Sequence, residues 1–161
     1  MKKLTLCAVL LAALTCKTFA ENGEKDMVAG GANLSGGLSF PFLPGLAFEY
    51  ERMLDDRFSL GAEIGSSMTI VPYAELRGRW YPSSSIFFTG LGLGVWNIIA
   101  SPFLLPTSFM VSPQIGWKID IGKPGGWVLL PTFTERVMFA YNDMHLWGFI
   151  TDIALKVGYQ F

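Results

Sequence analysis

Histidine-assisted nucleophilic chemistry is the first activity that the residue types raise. His145 is the only histidine in the chain, and Asp143 lies two residues before it, on the same face of an extended segment. Such a pair can activate a serine, and Ser101, Ser108 or Ser112 could approach it in space. A lone loop histidine is more often an ordinary rim residue, so we expect no enzyme. One histidine and two cysteines cannot assemble a zinc cluster, and we expect no metal or cofactor.

Charged residues at alternate positions offer a second chemistry, which is ion pairing along one face of a sheet. We call these residues the charged set; its members are Glu49, Glu51, Glu63, Glu75, Arg77, Arg79, Lys118, Asp120, Arg136, Asp152 and Lys156. Six acids against five bases are nearly balanced, which argues against strong charge selection. Two interpretations stay open: a salt-bridged plug that fixes the shape of the protein, or a narrow path or gate for ions or solutes.

Strands are the elements that must position this charged set. From Met27 onward, apolar residues alternate with Gly, Ser, Thr and charged residues, and a period of two is typical of a strand. Turn signals separate the segments at 54–57, 81–85 and 122–126. Each segment has about ten residues, enough to cross a bilayer at a tilt. The eight predicted strands are 27–39, 46–51, 58–65, 73–80, 87–96, 109–120, 127–136 and 148–161.

The pattern predicts an all-β, eight-stranded antiparallel up-and-down transmembrane β-barrel, with its polar face inward and its apolar face toward lipid. An even number of strands lets such a barrel close with both ends on one side of the membrane. If the set lines its lumen, counting back from a connection near 69–71 places Glu63 beside Arg77. We expect aromatic girdles of Trp80, Phe87, Trp127, Tyr159 and Phe161 at one end, and of Phe40, Phe42, Phe109, Phe139, Tyr141 and Trp147 at the other.

The composition favours this barrel over two alternatives. The chain is 51% hydrophobic and 16% charged, whereas soluble domains carry about 25% charged residues. A soluble sandwich or lipocalin-like barrel would have more Lys and Glu on its outer face. Membrane helices are disfavoured because four prolines interrupt the 38 uncharged residues between Arg79 and Lys118. The net charge of −1 excludes a broad basic surface, so we expect no nucleic-acid partner.

The first twenty residues are expected to be a secretory signal peptide. Lys2 and Lys3 precede an apolar run over 4–14, and small residues lead to a cut after Ala20. Residues 21–161 would then form one barrel domain, a monomer without cysteine. Lipid attachment at Cys16 is the alternative that stays open.

The last seven residues resemble the C-terminal signal of bacterial outer-membrane barrels. Apolar residues alternate over 155–161, with an aromatic at Tyr159 and the terminal aromatic Phe161. This resemblance implies an outer-membrane location, contact with outer-membrane lipid, and recognition of the last strand by the barrel-insertion machinery. The segments 50–52, 79–82 and 90–94 resemble small eight-stranded barrels of the OmpW and OmpX type.

The resemblance also shapes the expected function. OmpW-like barrels imply passage of small hydrophobic solutes through a side opening, and apolar outer connections at 40–45, 98–107 and 138–147 suit that role. We expect a small porin-like or OmpW-like barrel with a largely filled lumen. The alternatives are a structural or surface-interaction barrel and, further off, a lipid-modifying enzyme. Outer-membrane lipid A deacylases require Ser two residues after the histidine, where this chain has Trp147.

Overall fold

The computed structural model describes residues 26–37, 40–67, 71–82, 86–97, 107–122, 125–140 and 145–161, and these residues form a single β-sheet. The predicted signal peptide, with Cys16 and Ala20, lies outside them, as do residues 98–106 and Asp143. The strands are β1 Asp26–Gly37, β2 Phe40–Met53, β3 Phe58–Ser67, β4 Val71–Trp80, β5 Phe87–Trp96, β6 Ser108–Trp117, β7 Ile119–Ile121, β8 Trp127–Ala140 and β9 Leu146–Gln160.

The sheet closes on itself as an antiparallel barrel. Consecutive strands pair from β1 to β6 and from β7 to β9, and β9 returns to pair with β1 over ten residue pairs, from Met27–Gln160 to Gly36–Thr151. Both β6 and β7 pair with β8, so they form one wall strand interrupted at Lys118. The wall therefore has eight strands, which confirms the predicted fold class. Reciprocal backbone hydrogen bonds join Asp26 and Phe161, so both ends of the barrel chain lie at what we call the terminal end, opposite the distal end.

Side-chain burial is inverted relative to a soluble protein. Large apolar side chains cover the outer wall, and Leu76 is 65% exposed. Charged side chains fill the inside, and Arg136 is 0% exposed. A closed barrel satisfies its backbone within the sheet and can therefore present an apolar outer face to hydrocarbon. Aromatic pairs at the terminal end, Trp127 with Tyr159 and Phe87 with Trp117, fit an interfacial girdle.

Apolar layers close the lumen on both sides of its charged centre. The residues of the terminal-end layer are Met27, Ala29, Tyr81, Phe88, Val128 and Leu130. Those of the distal layer are Val71, Tyr73, Trp96, Met110, Met138 and Ile150. The inward-facing residues of β4 line the lumen from one layer to the other. Tyr73 lies in the distal layer, Glu75, Arg77 and Arg79 lie in the charged centre, and Tyr81, just beyond the strand, lies in the terminal-end layer. An eight-stranded barrel has room for side chains and little else, and here side chains occupy it.

Three segments differ from the sequence expectations. Residues 138–147 are expected to be an outer connection, but β8 continues to Ala140 and β9 begins at Leu146, while 141–144 lie outside the described residues. Residues 40–45, expected to be an outer connection, are the first part of β2 and pair with β1 up to Gly37–Phe40. Pro41 and Pro44 indicated a loop, yet an edge strand tolerates proline because it needs no donor toward its open side. Residues 109–120 form two strands because the wall is interrupted at Lys118, whose amide bonds to the carbonyl of Ile86.

Among the described residues, no helix is long and apolar enough to span a membrane.

The turns follow the predicted signals where they are described. In the 54–57 turn, Asp55 Oδ1 accepts hydrogen bonds from the amides of Arg57 and Phe58, each at 2.7 Å. Gly122 and Gly125 flank the β7–β8 turn with φ of +90° and +79°, a backbone conformation that favours glycine.

Leu76→Arg tests the lipid-facing assignment of the outer wall. Leu76 lies in the middle of β4, where an arginine facing hydrocarbon should lower the free energy of unfolding by about 2–4 kcal/mol. Leu54→Arg is the matched control, because Leu54 is similarly exposed but lies in a turn. Chemical unfolding in lipid vesicles measures both variants. An unchanged stability for Leu76→Arg would mean that this wall faces water.

Candidate functional site in the barrel lumen

Most of the charged set meets in the middle of the lumen. Glu49, Glu51, Glu63, Glu75, Arg77, Arg79, Arg136, Asp152 and Lys156 are each 0–3% exposed. We call these nine residues the lumen network. They come from β2, β3, β4, β8 and β9, because alternation turns every second residue of each strand inward.

Lys118 and Asp120 lie outside the lumen network, contrary to the expected placement. Lys118 is half-buried at the interruption between β6 and β7, with its ammonium 5.8 Å from the centre of the Tyr81 ring. Asp120 lies on β7, where every residue is exposed. The alternation continues through this segment, but among the described residues β7 pairs with β8 alone, so Asp120 lies on an open edge of the wall at the terminal end.

A row of three glutamates is the central feature of the lumen network. Glu49 pairs with Glu63 across β2 and β3, and Glu63 pairs with Glu75 across β3 and β4. Like charges directly opposite one another destabilise a sheet. Their burial adds a desolvation cost that only close basic partners can offset. Those partners must come from other positions around the lumen.

Arg77 contacts all three members of the glutamate row, and its Nη1 lies 3.7 Å from Glu49 Oε2. Its guanidinium forms a two-pronged ion pair with Glu63, including Nη2 to Oε1 at 2.6 Å. Its Nε donates to Glu75 Oε1 at 2.8 Å. The planar guanidinium suits such paired recognition of carboxylates. The Glu63–Arg77 pair is the one that the strand count predicted.

Basic residues from the opposite wall complete the compensation. Lys156 on β9 donates to Glu49 Oε2 at 2.6 Å and also binds Glu63. On β8, the Nη2 of Arg136 lies 3.5 Å from Glu63 Oε1, and its Nε lies 3.7 Å from Glu75 Oε2. Its Nη1 donates to Asp152 Oδ2 at 2.6 Å. The row is therefore bound from both sides of the lumen.

Arg79 extends the lumen network toward the terminal end. It pairs with Glu49 and donates to Glu51 Oε2 at 2.7 Å, and its guanidinium carbon lies 4.4 Å from the centre of the Phe88 ring. The Tyr81 hydroxyl also donates to Glu51, at 2.6 Å. These contacts join the charged centre to the terminal-end apolar layer.

Glycines on β5 make room for the charged side chains of β4. A Cβ at Gly92 would collide with the carboxylate of Glu75. A Cβ at Gly90 would meet Arg79 and Gln114, each 3.1 Å away. Gly90 and Gly92 are therefore sites of close packing.

Comparison with known proteins supports the fold. No family model matches the chain, and no curated protein sequence matches it either. The N-terminal β-barrel domain of Pseudomonas aeruginosa OprF is similar in structure, with a TM-score of 0.59, 14% identity, and coverage of 86% of this chain and 99% of that one. Neisserial surface protein A gives a TM-score of 0.57 and 9% identity, covering 87% of this chain and 98% of its own. The chain has the fold of a small eight-stranded outer-membrane β-barrel.

A designed protein fits the same conclusion. The de novo designed protein TMB2.3 gives a TM-score of 0.52 at 11% identity, covering 87% of this chain and 97% of its own. Likeness at such low identity concerns the fold. The narrower OmpW and OmpX resemblance stays a prediction.

The catalytic candidates of this barrel are spread over different environments. His145 is exposed just before β9, while Ser108 and Ser112 are buried on the lumen face of β6. Asp143 and Ser101 lie outside the described residues. Among the described residues, no group of three or more His, Cys, Asp or Glu side chains could hold a metal ion.

Two tyrosines belong to the site although the charged set did not include them. Tyr73 donates its hydroxyl to Glu63 Oε1 at 2.7 Å, and the Arg136 guanidinium carbon lies 4.3 Å from its ring centre. Tyr81, assigned to a turn, is buried and bonds to Glu51. The alternation of β4 could have identified both tyrosines, because it places position 73 on the same face as Glu75 and, when continued past the strand, places position 81 there too.

Arg77→Met tests the dependence of the fold on the lumen network. Removing this cation leaves Glu63 and Glu75 under-compensated in a buried site, which should lower the free energy of unfolding by about 3–5 kcal/mol. Arg57→Met in the exposed turn is the matched control and should change it by about 0.5 kcal/mol or less.

Adding Glu63→Gln to Arg77→Met should restore part of the lost stability, since one uncompensated carboxylate is then gone. Urea unfolding in lipid vesicles compares the three variants. Equal losses for Arg77→Met and Arg57→Met would contradict the assignment.

Proposed function

We propose that the chain is an integral outer-membrane barrel with a closed lumen, which acts on small hydrophobic solutes at its wall and distal end. The lumen network, held between two apolar layers, carries this proposal. Interlocked charges leave polar solutes no free groove to follow. A general water-filled pore is therefore the less suitable role for this barrel.

The apolar outer wall supports an outer-membrane location. Leu60, Ile64, Leu76 and Leu93 are 54–65% exposed on neighbouring strands. Soluble monomers rarely expose such continuous apolar surface. Tyr159 and Phe161 are exposed on the same wall. They are the aromatic residues of the segment that resembles C-terminal signals, and this resemblance implies that the insertion machinery recognises the last strand. The predicted export by a cleaved signal peptide fits the same route.

A surface-interaction barrel is the second candidate, and one observation favours it. Toward the distal end, the β1–β2 hairpin extends beyond the last β2–β3 pair, which is Ala47 with Gly65. Phe42 and Leu43 are exposed on this extension. Exposed apolar side chains at a rim suit contact with a partner surface. Serine at positions 42 and 43 should remove such a contact and leave the lumen unchanged.

Single-channel recording tests the closed lumen. Residues 21–161 refolded into a planar bilayer should give silence or rare small openings, because side chains fill the lumen. A variant with Ala in place of Glu63, Arg77 and Lys156 should open more often, since it empties the centre of the lumen network. Arg57→Ala is the control and should behave as the wild type.

Boiled and unboiled gel samples establish that the inserted protein is folded. Steady, large conductance of the wild type would contradict the proposal and would make this protein a pore.

A further inference from the structure

The barrel wall is stepped between β2 and β3 at the distal end. The β2–β3 ladder ends at Ala47 and Gly65, whereas β1 and β2 stay paired as far as Gly37 and Phe40. Among the described residues, the first seven residues of β2 thus have no ladder partner on β3. The β3–β4 hairpin is shorter, with its last described pair at Ser67 and Val71. We call the junction of Leu46 and Ser66 the β2–β3 seam.

Side chains replace the backbone ladder at the β2–β3 seam. The amide of Leu46 donates to Ser66 Oγ at 3.2 Å, and Asn33 Nδ2 donates to the Ser66 carbonyl at 3.4 Å. Pro44, the next residue of β2 with the same orientation, has no N–H to offer. Two side-chain hydrogen bonds can be exchanged for bonds to a ligand without opening the rest of the sheet.

An apolar groove lies on the outer wall directly at the β2–β3 seam. It has a volume of about 360 Å³, within the usual range of ligand pockets. Leu46, Phe48, Ile64 and Pro72 form its apolar sides. The groove opens on the lipid-exposed face of the wall, so a hydrocarbon chain can enter it from the membrane.

The floor of this groove reaches the lumen. Tyr73 lines the groove although only 1% of it is exposed, and its hydroxyl bonds to Glu63. Gly65 permits this, because a Cβ there would lie 2.7 Å from the Tyr73 hydroxyl. At this position the wall is thin, and an outer groove adjoins lumen side chains.

Two buried polar atoms behind the β2–β3 seam have no hydrogen-bond partner among the described residues. They are Asn33 Oδ1 and Ser67 Oγ, on side chains that are 2% and 0% exposed. A buried polar atom without a partner is costly. Both residues lie next to Ser66 on the lumen side of the wall, since Ser67 follows Ser66 on β3 and Asn33 Nδ2 contacts the Ser66 carbonyl.

We propose that the β2–β3 seam binds a single-chain amphiphile whose uncharged or cationic head donates a hydrogen bond. The apolar chain lies in the groove against Phe48 and Ile64. The head enters beside Ser66 and bonds Asn33 Oδ1 and Ser67 Oγ. The inference rests on the proposed function, because it names the class of the small hydrophobic solute.

The charges near the seam decide the nature of the head. Asn33 Nδ2 also donates to Asp152, and the lumen network holds five carboxylates against four basic groups. An anionic head would meet this surplus of negative charge. A long-chain alcohol or amine therefore fits the seam, and a fatty-acid carboxylate does not.

Titration of the folded protein in nanodiscs with dodecanol, dodecylamine and dodecanoate tests the proposal, with the amide NMR signals of Gly65 and Ser66 as the readout. Dodecanol and dodecylamine should shift these signals saturably, and dodecanoate should not. Ile64→Trp fills the groove and should weaken dodecanol binding by about tenfold or more, the scale on which apolar pockets discriminate by size. Leu76→Trp, on the same wall but outside the groove, is the matched control and should bind as the wild type.

Ser67→Ala tests the head, because it removes one polar atom that lacks a partner and should weaken dodecanol binding severalfold. If Ile64→Trp fails the gel test for folding, Phe48→Trp fills the groove from the neighbouring strand. Equal dodecanol binding by the wild type, Ile64→Trp and Leu76→Trp would overturn the site, since the alcohol would then only partition into lipid at the wall. Binding of dodecanoate as tight as that of dodecanol would overturn the head assignment.

The two proposals fail separately. Steady conductance of the wild type overturns the closed lumen whatever the titration shows. Absence of saturable binding overturns the β2–β3 seam site and leaves the closed lumen standing.

Discussion

The carboxylate of Glu63 joins strands from opposite walls of the barrel, and the rest of the lumen is arranged around it. It accepts hydrogen bonds from Arg77 and Tyr73 on β4, and it pairs with Lys156 on β9 and Arg136 on β8. A carboxylate away from water requires such partners, because its desolvation is otherwise uncompensated. The register of at least four strands must be correct at once for these contacts to form.

The outer wall explains why charge is concentrated inside. Lipid offers no hydrogen bonds, so the wall excludes polar side chains and the alternation of each strand turns them inward. A one-residue slip of any strand would expose its inward residues to lipid and bury leucines among charges. Buried ion pairs add little net stability by themselves. Their contribution here is to penalise wrong registers.

Much of the fold could be predicted from the sequence, because strand alternation is a local signal. The inward phase of Glu49, Glu63, Arg77, Arg136 and Lys156 follows from their spacing alone, and the structure places all five side chains inside. The exclusion of Asp120 from the lumen network could not be predicted, since it depends on where the strand pairing of the wall ends. The continuation of β2 through Pro41 and Pro44 could not be predicted from the sequence either, because pairing at an open strand edge depends on how far the neighbouring hairpins extend.

The partners within the site were harder to predict than its members. The Glu63–Arg77 pair follows from counting across one hairpin, whereas Lys156 reaches Glu49 across a separation of 107 residues. That contact depends on closure of the barrel and on its stagger. The β2–β3 seam likewise arises from unequal hairpin heights, which no local pattern shows.

Hydrogen exchange at arginine side chains tests the closed lumen network most directly. In nitrogen-15-labelled protein in nanodiscs, the Nε–H of Arg77 is bonded to Glu75 between two apolar layers, whereas Arg57 lies in an exposed turn. We predict that Arg77 exchanges its Nε proton with water far more slowly than Arg57 does. Equal exchange of the two protons would mean that water fills the lumen, and would contradict a barrel closed by its own charges.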